Sequence, residues 1–201
     1  MLRFLSISVL VVLLTACSGY RHLTSDAGLE SFLSRSPGGL VYKSGFNFKA
    51  YYFSGIMVIK PEEESIRIQF LSELGPTIMD FRLLKDKMEV IKMIESLQKK
   101  VFMAQMEYDL RLLLQAGIYH QGKAKLMKSE RGNAKYKIKG RDNNIFFVNQ
   151  TSGQIERGFR RGIGYEKVEV AYDYEGQNSV PHTMTLTHNM IDIKLRLSLL
   201  N

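Results

Sequence analysis

In the segment IDIKLRLSL, residues 191–199, every second residue is aliphatic: Ile191, Ile193, Leu195, Leu197 and Leu199 point one way, and Asp192, Lys194, Arg196 and Ser198 the other. Such a strand needs a core on one side and water on the other, the arrangement that antiparallel sheets provide. The same period runs through FNFKAYYFSGIMVIK (46–60), with a break predicted near Ser54-Gly55, then through SIRIQFL and TIMDFRLL, with PEEE and SELGP as turns between them. It returns in KLMKS, AKYKIKG, NIFFVNQ, QIERGFRR, KVEVAYDYE and HTMTLTH, separated by Gly, Asn and Asp. About ten or eleven consecutive antiparallel strands are therefore predicted.

Two segments break the pattern. TSDAGLESFLS predicts a short amphipathic helix capped by Thr24 or Ser25, with Leu29, Phe32 and Leu33 on one side. Between Ser96 and Gln115 the period becomes helical: Phe102, Met106, Leu110 and Leu113 form an apolar stripe, with Lys99, Lys100, Glu107 and Arg111 around it and Gly117 as the predicted stop. A long sheet with one apolar face curls, and this helix has a stripe to bury, so the fold class is mainly β (α+β), a curved sheet with a helical lid. An apolar groove is predicted between lid and sheet, suited to a hydrophobic ligand. Its candidate lining is Ile66, Ile68, Phe70, Met79, Phe81 and Leu83 from the early strands, Phe102, Met106, Leu110 and Leu113 from the helix, and Met184, Leu186, Ile193, Leu195 and Leu197 from the last hairpin. Methionine re-packs readily around ligands of varied shape, although core filling accounts for Met57, Met79, Met103, Met106 and Met184 equally well.

Catalytic patterns are missing from the sequence. His22, His120, His182 and His188 have no metal-type spacing and read as surface or turn residues; no GxSxG or Walker A string occurs; RGIGY (161–165) reads as a hairpin turn. Acidic residues are spread along the polar faces without a visible pair. A non-enzyme with no catalytic residue, no metal site and no cofactor is expected.

The N-terminus carries Arg3, an apolar run from Phe4 to Leu14, then Thr15 and Ala16, the layout of a secretory signal peptide. As a helix that run would rise about 16 Å against a hydrocarbon core of about 30 Å, too short to span. The lone cysteine, Cys17, follows at once, which excludes an internal disulfide. Leu14-Thr15-Ala16-Cys17 resembles the lipobox of bacterial lipoproteins, which implies diacylglyceryl and N-acyl lipid on Cys17 as the mature first residue. Ser18 rather than Asp follows, and no acidic cluster comes after it, so the expected location is the inner leaflet of the outer membrane, facing the periplasm. The organisation is then a signal peptide over 1–16, an acylated tether over 17–24 and one domain over 25–201, expected to be a monomer. The net charge of +8 for the full chain, about +7 once Arg3 leaves with the signal peptide, would suit nucleic acid, but an exported chain without a nucleic-acid-binding motif is expected to meet anionic outer-membrane lipids instead. The basic stretch GKAKLMKSERGNAKYKIKGR (122–141) is the candidate contact, and a solvated strand-turn-strand face is the equal alternative.

Two further segments carry a family resemblance. FLSELGPTIMDFRL (70–83), an apolar strand running into Leu-Gly and then a Thr-led strand, and the closing hairpin VPHTMTLTHNMIDIKLRLSL (180–199), with Pro181, Met184 and Leu186, resemble the LolB-type outer-membrane lipoprotein receptors. The resemblance implies an unclosed β-barrel lidded by helices, whose cavity takes acyl chains of lipoproteins from a LolA-like carrier and passes them to the outer membrane. It implies for Leu74, beside Gly75 and Pro76, the role of the exposed apolar residue on a membrane-transfer loop; a Leu74 folded back as a core plug is the alternative. The chain departs from the family in its helix, which has no Trp and no Pro-rich break. Two other roles suit the same fold: a binder of another hydrophobic ligand, and a non-catalytic scaffold lipoprotein of an envelope complex, whose groove would be filled by its own side chains.

Overall fold

The computed structural model describes residues 29–48, 51–121, 124–130, 132–138, 143–161 and 167–200. The signal peptide, Cys17, the tether and the caps expected at Thr24 and Ser25 lie outside the described residues, as do Lys123, Arg131, Lys139 and Arg141 of the basic stretch.

Among the described residues twelve strands form one antiparallel, unclosed sheet: β1 (Leu40–Phe48), β2 (Tyr51–Pro61), β3 (Ser65–Ser72), β4 (Thr77–Leu84), β5 (Met88–Met93), β6 (Ala124–Glu130), β7 (Asn133–Ile138), β8 (Ile145–Asn149), β9 (Ile155–Arg161), β10 (Lys167–Asp173), β11 (Thr183–His188) and β12 (Ile193–Leu199). The spatial order is β5-β4-β3-β2-β1-β12-β11-β10-β9-β8-β7-β6, so the first and last strands pair at the centre while β5 and β6 are the free edges. Tyr42, Ser44 and Phe46 of β1 stand opposite Leu199, Leu197 and Leu195 of β12, which puts the alternating residues of the last strand on the same concave face. On that face Tyr42, Ile59, Ile66, Leu83, Val168, Val170, Met184 and Leu197 are completely enclosed. The convex face is polar but crosslinked: Arg67 Nη2 and Gln69 Nε2 each donate to Asp80 Oδ2 at 2.9 Å, and the Arg67 guanidinium holds the Asp80 carboxyl below the usual carboxylate range.

The strands differ from the predicted ones in two places. No break falls at Ser54-Gly55: β1 and β2 stay paired from Phe48–Tyr51 to Leu40–Ile59, and Gly55 lies inside β2, where a Cβ would stand 2.1 Å from the Leu71 carbonyl oxygen, so the glycine serves a close approach of β2 to β3. Strand β5 follows a register shift at Asp80/Phe81 and exposes both Val90 and Ile91, which erases the alternation by which strands are read.

The N-terminal amphipathic helix is, among the described residues, a single 3-10 turn, Phe32–Arg35, capped by Ser31, whose hydroxyl accepts from the Leu33 amide. The long helix is shorter than predicted. Helix α1 spans Lys100–Leu113, and Gln115 with φ of 53°, rather than Gly117, turns the chain into the short helix α2 (Ala116–Gln121). No described helix is long and apolar enough to cross a membrane.

Nor is α1 only a lid. Leu110, Arg111, Leu112, Leu113 and Leu114 are all buried, so its C-terminal half is enclosed on every side. On one flank Arg111 donates to the carbonyls of Lys85 and Leu84, at 2.8 and 2.9 Å; on the other the Tyr172 hydroxyl of β10 donates to the Leu112 carbonyl at 2.7 Å. The helix thereby bridges the β4–β5 turn and the opposite half of the sheet.

Strand directions sort the loops into two ends. The end of β1 and the turns at 73–76 and 189–192 share one end with the start of α1, where Gln98 Nε2 donates to the carbonyl of Met93, the last residue of β5. The turns at 62–64, 85–87 and 174–182 share the other end with α2, where the Tyr119 hydroxyl donates to the Glu62 carbonyl at 2.8 Å.

Candidate functional site

The β3–β4 hairpin sets Leu74 at its tip. The Gly75 amide donates to the Ser72 carbonyl at 3.0 Å, closing a four-residue turn, and Gly75 has φ of 96°, a conformation that suits a residue without Cβ. The Ser72 amide donates to the Pro76 carbonyl at 2.9 Å, and the Ser54 hydroxyl of β2 donates to Glu73 Oε1 at 2.5 Å, tying the tip to the neighbouring strand. Leu74 itself is 92% exposed, which rules out its folding back as a core plug.

The predicted groove residues divide into two groups. Ile66, Ile68, Phe70, Phe81, Leu83, Leu110, Leu113, Met184, Leu186 and Leu197 are at most 7% exposed, filling the space between sheet and helix as core and not lining an open groove. Met79, Phe102, Met106, Ile193 and Leu195 are only half-buried. With the exception of Ile193 they pack against the core from its edge, as does Met103. All of them come from the first half of α1 or from strand segments near the hairpin-tip end. Phe46 and Phe53 lie there too, with ring centroids 6.4 Å apart and Phe53 half exposed. These half-buried residues lie at the same end of the sheet as Leu74, and no groove runs along the whole barrel between the enclosed residues. Ile191, expected to begin the inward row of β12, lies in the hairpin before that strand and is exposed.

A buried polar network, absent from the sequence reading, fixes the helix beside these residues. Asp109 Oδ1 accepts from Arg160 Nη2 of β9 at 2.6 Å and from Gln105 Nε2 at 2.8 Å, and its Oδ2 lies 2.9 Å from His188 Nε2 of β11. The Arg160 guanidinium also sits 5.0 Å from the Tyr108 ring centroid. His188 is therefore a core residue and not a surface one, and Asp109 draws two of its partners from strands distant in sequence. Arg111, expected on the polar side of the helix, is likewise buried, bonded to Glu107 as well as to the two carbonyls. No local pattern marks Asp109, which stands between Glu107 and Arg111 in the sequence.

At the opposite end lies a polar cleft of about 850 Å³, bordered by Glu63, Glu64, Lys85, Asp86, Tyr119 and His120 among others. Burial lowers the His120 pKa, and its Nε2 lies 3.2 Å from the Leu83 carbonyl, the position of a neutral imidazole donating to the backbone. Mixed charge makes this cleft a poor host for an acyl chain. Of the remaining histidines, His182 pairs with Glu175 at 3.4 Å, and His22 is outside the described residues. The basic stretch forms part of β6 and β7, where Lys125 faces Lys137 and Lys128 faces Lys135 across the strands. Lysines along the edge strand β6 also discourage further strand pairing.

Compared by sequence, the chain matches no protein-family model and no curated protein. By fold it is similar to the crystal structure of a DUF1329 family protein from Desulfovibrio piger, with a TM-score of 0.49 and 7% identity over 85% of this chain and 89% of that one.

Proposed function

We propose that the protein is a non-catalytic lipoprotein, anchored through acylated Cys17 in the inner leaflet of the outer membrane, that accepts acyl chains at an apolar mouth of its hairpin-tip end and inserts lipoproteins into that membrane. The observation that carries this reading is Leu74, fully projecting from a stiff hairpin tip at the same end of the sheet as the half-buried Phe102, Met106 and Leu195. Acyl chains in a protein mouth and in a bilayer have similarly apolar surroundings, so transfer gains little free energy and is limited by exposure of the chains to water on the way. An apolar tip dipping into the interface shortens that exposure. The partners are then outer-membrane lipids, acylated lipoproteins and a LolA-like carrier, as the resemblance to the LolB-type receptors implies. Leu74→Glu, at a site with no packing to lose, is expected to fold normally and to accept an acylated protein, yet to deliver it to liposomes at least about tenfold more slowly. Delivery at the parent rate would remove Leu74 from the transfer step.

The mouth has its own test. Met106→Glu sets a carboxylate among apolar neighbours, which is costly to desolvate, so affinity for a fluorescent fatty-acid probe should fall by about tenfold or more while the fold persists. A folded variant with unchanged affinity would place the acyl chains elsewhere. The enclosed core at Ile66, Leu83, Met184 and Leu197 favours a second reading, the scaffold lipoprotein with its groove filled by its own side chains. Probe binding by the parent chain separates the two, since a scaffold takes up none.

A further inference from the structure

The lysines of β6 and β7 belong to a larger cationic surface. Strand pairing sets Lys125, Lys137, Ile145 and Phe159 in one row across β6, β7, β8 and β9, and Lys128, Lys135, Phe147 and Arg157 in the next. Arg161 of β9 stands opposite Lys167 of β10 just beyond the first row. The alternate residues Ala134, Phe146, Val148 and Gly158 are buried, so both rows lie on the convex face. Three pairs on this face, Lys125–Lys137, Lys128–Lys135 and Arg161–Lys167, set like charges directly opposite each other, which costs stability in an antiparallel sheet. Rings, more than carboxylates, hold these cations. Lys135 Nζ lies 5.5 Å and the Arg157 guanidinium 6.0 Å from the Phe147 ring centroid, and Lys167 Nζ lies 3.8 Å from that of Phe159. The two rings meet edge to face at 5.3 Å. A ring positions a cation without neutralising it. Of the nearby acids, Glu156 accepts from Asn149 at 2.8 Å, Glu169 lies 3.7 Å from Lys167, and Asp173 is at the other end of β10, opposite Thr183. Lys125, Lys135, Lys137, Arg157 and Arg161 have no carboxylate partner among the described residues.

We infer that this face binds a linear acidic polysaccharide, a chain of uronate-type sugars laid across the strands. The inference is independent of the acyl-handling role proposed above. Cations that are held in place yet left uncompensated complement a polyanion, and an anion bridging two facing cations removes the repulsion between them. Adjacent strands stand about 4.8 Å apart, close to the length of one sugar unit, so successive carboxylates can meet cations on successive strands. Other polyanions fit less well. A flat bilayer touches a convex surface along one line, and Met127, on the edge strand β6, is the one exposed large apolar side chain of β6 to β10 among the described residues. Single-stranded nucleic acid relies on open rings for base stacking, whereas cations cover Phe147 and Phe159. An acidic peptide strand would add at β6, where a bulge between Leu126 and Lys128 interrupts the ladder.

The full-length Cys17→Ala chain, which cannot enter a bilayer through its anchor, would be titrated calorimetrically at physiological ionic strength with polygalacturonate. Dextran serves as the uncharged chain, and a single-stranded oligonucleotide, polyglutamate and phosphatidylglycerol vesicles are measured in parallel. Polygalacturonate is expected to bind more tightly than any of these. In the same background Lys137→Gln with Lys167→Gln should weaken it about tenfold, while Lys99→Gln with Lys100→Gln, which removes the same charge at the start of α1, should change affinity less than about twofold. Phe159→Leu keeps every charge but removes the ring beneath Lys167, and about threefold weaker binding is expected. The Lys137 and Lys167 double variant should melt no lower than its parent, since it relieves two like-charge pairs, so its loss of binding is not a loss of fold. Equal weakening in the two double variants would mean attraction by net charge alone and would overturn the inference. So would parental affinity in Phe159→Leu, no binding of polygalacturonate, or tighter binding of the oligonucleotide, polyglutamate or vesicles.

Discussion

Replacing Arg111 by alanine should destabilise the protein by about 3–5 kcal/mol, lowering the melting temperature by roughly 10 °C. The guanidinium is 1% exposed and divides its donors among the Lys85 and Leu84 carbonyls and the Glu107 carboxylate. Truncation removes the tie between α1 and the β4–β5 turn and leaves the Glu107 carboxylate, 13% exposed, without this cation. It also opens a void in the enclosed interior where the Arg111 side chain was 1% exposed. Arg111→Lys should recover part of the loss, because an ammonium keeps the charge but cannot span three acceptors in a planar fork. Thermal unfolding of the three proteins checks this, and a parent-like Arg111→Ala would show that the helix is held from the β10 side alone.

Cys17→Ala should abolish covalent lipidation altogether and release the protein from the outer-membrane fraction. No described helix can cross a bilayer, and two or more acyl chains are what hold a lipoprotein stably. The variant is therefore expected in the soluble fraction or retained at the inner membrane with its signal uncleaved. Metabolic labelling with a fatty acid, followed by fractionation, provides the check; label on the Cys17→Ala protein would mean that the acyl group sits on another residue.

The parts of this structure legible in the sequence are those governed by a local period. Ile193, Leu195 and Leu197 alternate with charged residues because their strand has core on one side and water on the other, and the mainly β, antiparallel, unclosed sheet follows from that pattern. Strand β5 was not legible, since Val90 and Ile91 at an edge beyond a bulge both meet solvent. Gly55 suggested a turn where it in fact permits two strands to touch. The candidate site was readable only in part. Hydrophobicity alone cannot separate a residue such as Leu83, sealed in the core, from Met106, at the edge of the mouth, because both belong on an apolar face. Arg111 was read as helix surface, and Asp109 was not singled out, because their partners are distant in sequence. Lys85 lies 26 residues from Arg111, and His188 lies 79 from Asp109. A buried charge becomes recognisable only when the fold brings its partner to it.

The claim on which the account turns is that acyl chains bind at the mouth formed by Phe102, Met106, Met79 and Leu195. Lipid mass spectrometry on the purified Cys17→Ala protein tests it most directly, because any acyl chain found is then a bound one and not the anchor. The account predicts co-purifying acyl-bearing lipid in a near-stoichiometric amount, displaced by a fatty-acid probe and diminished in the Met106→Glu variant. Protein that emerges free of lipid and takes up no probe would contradict it.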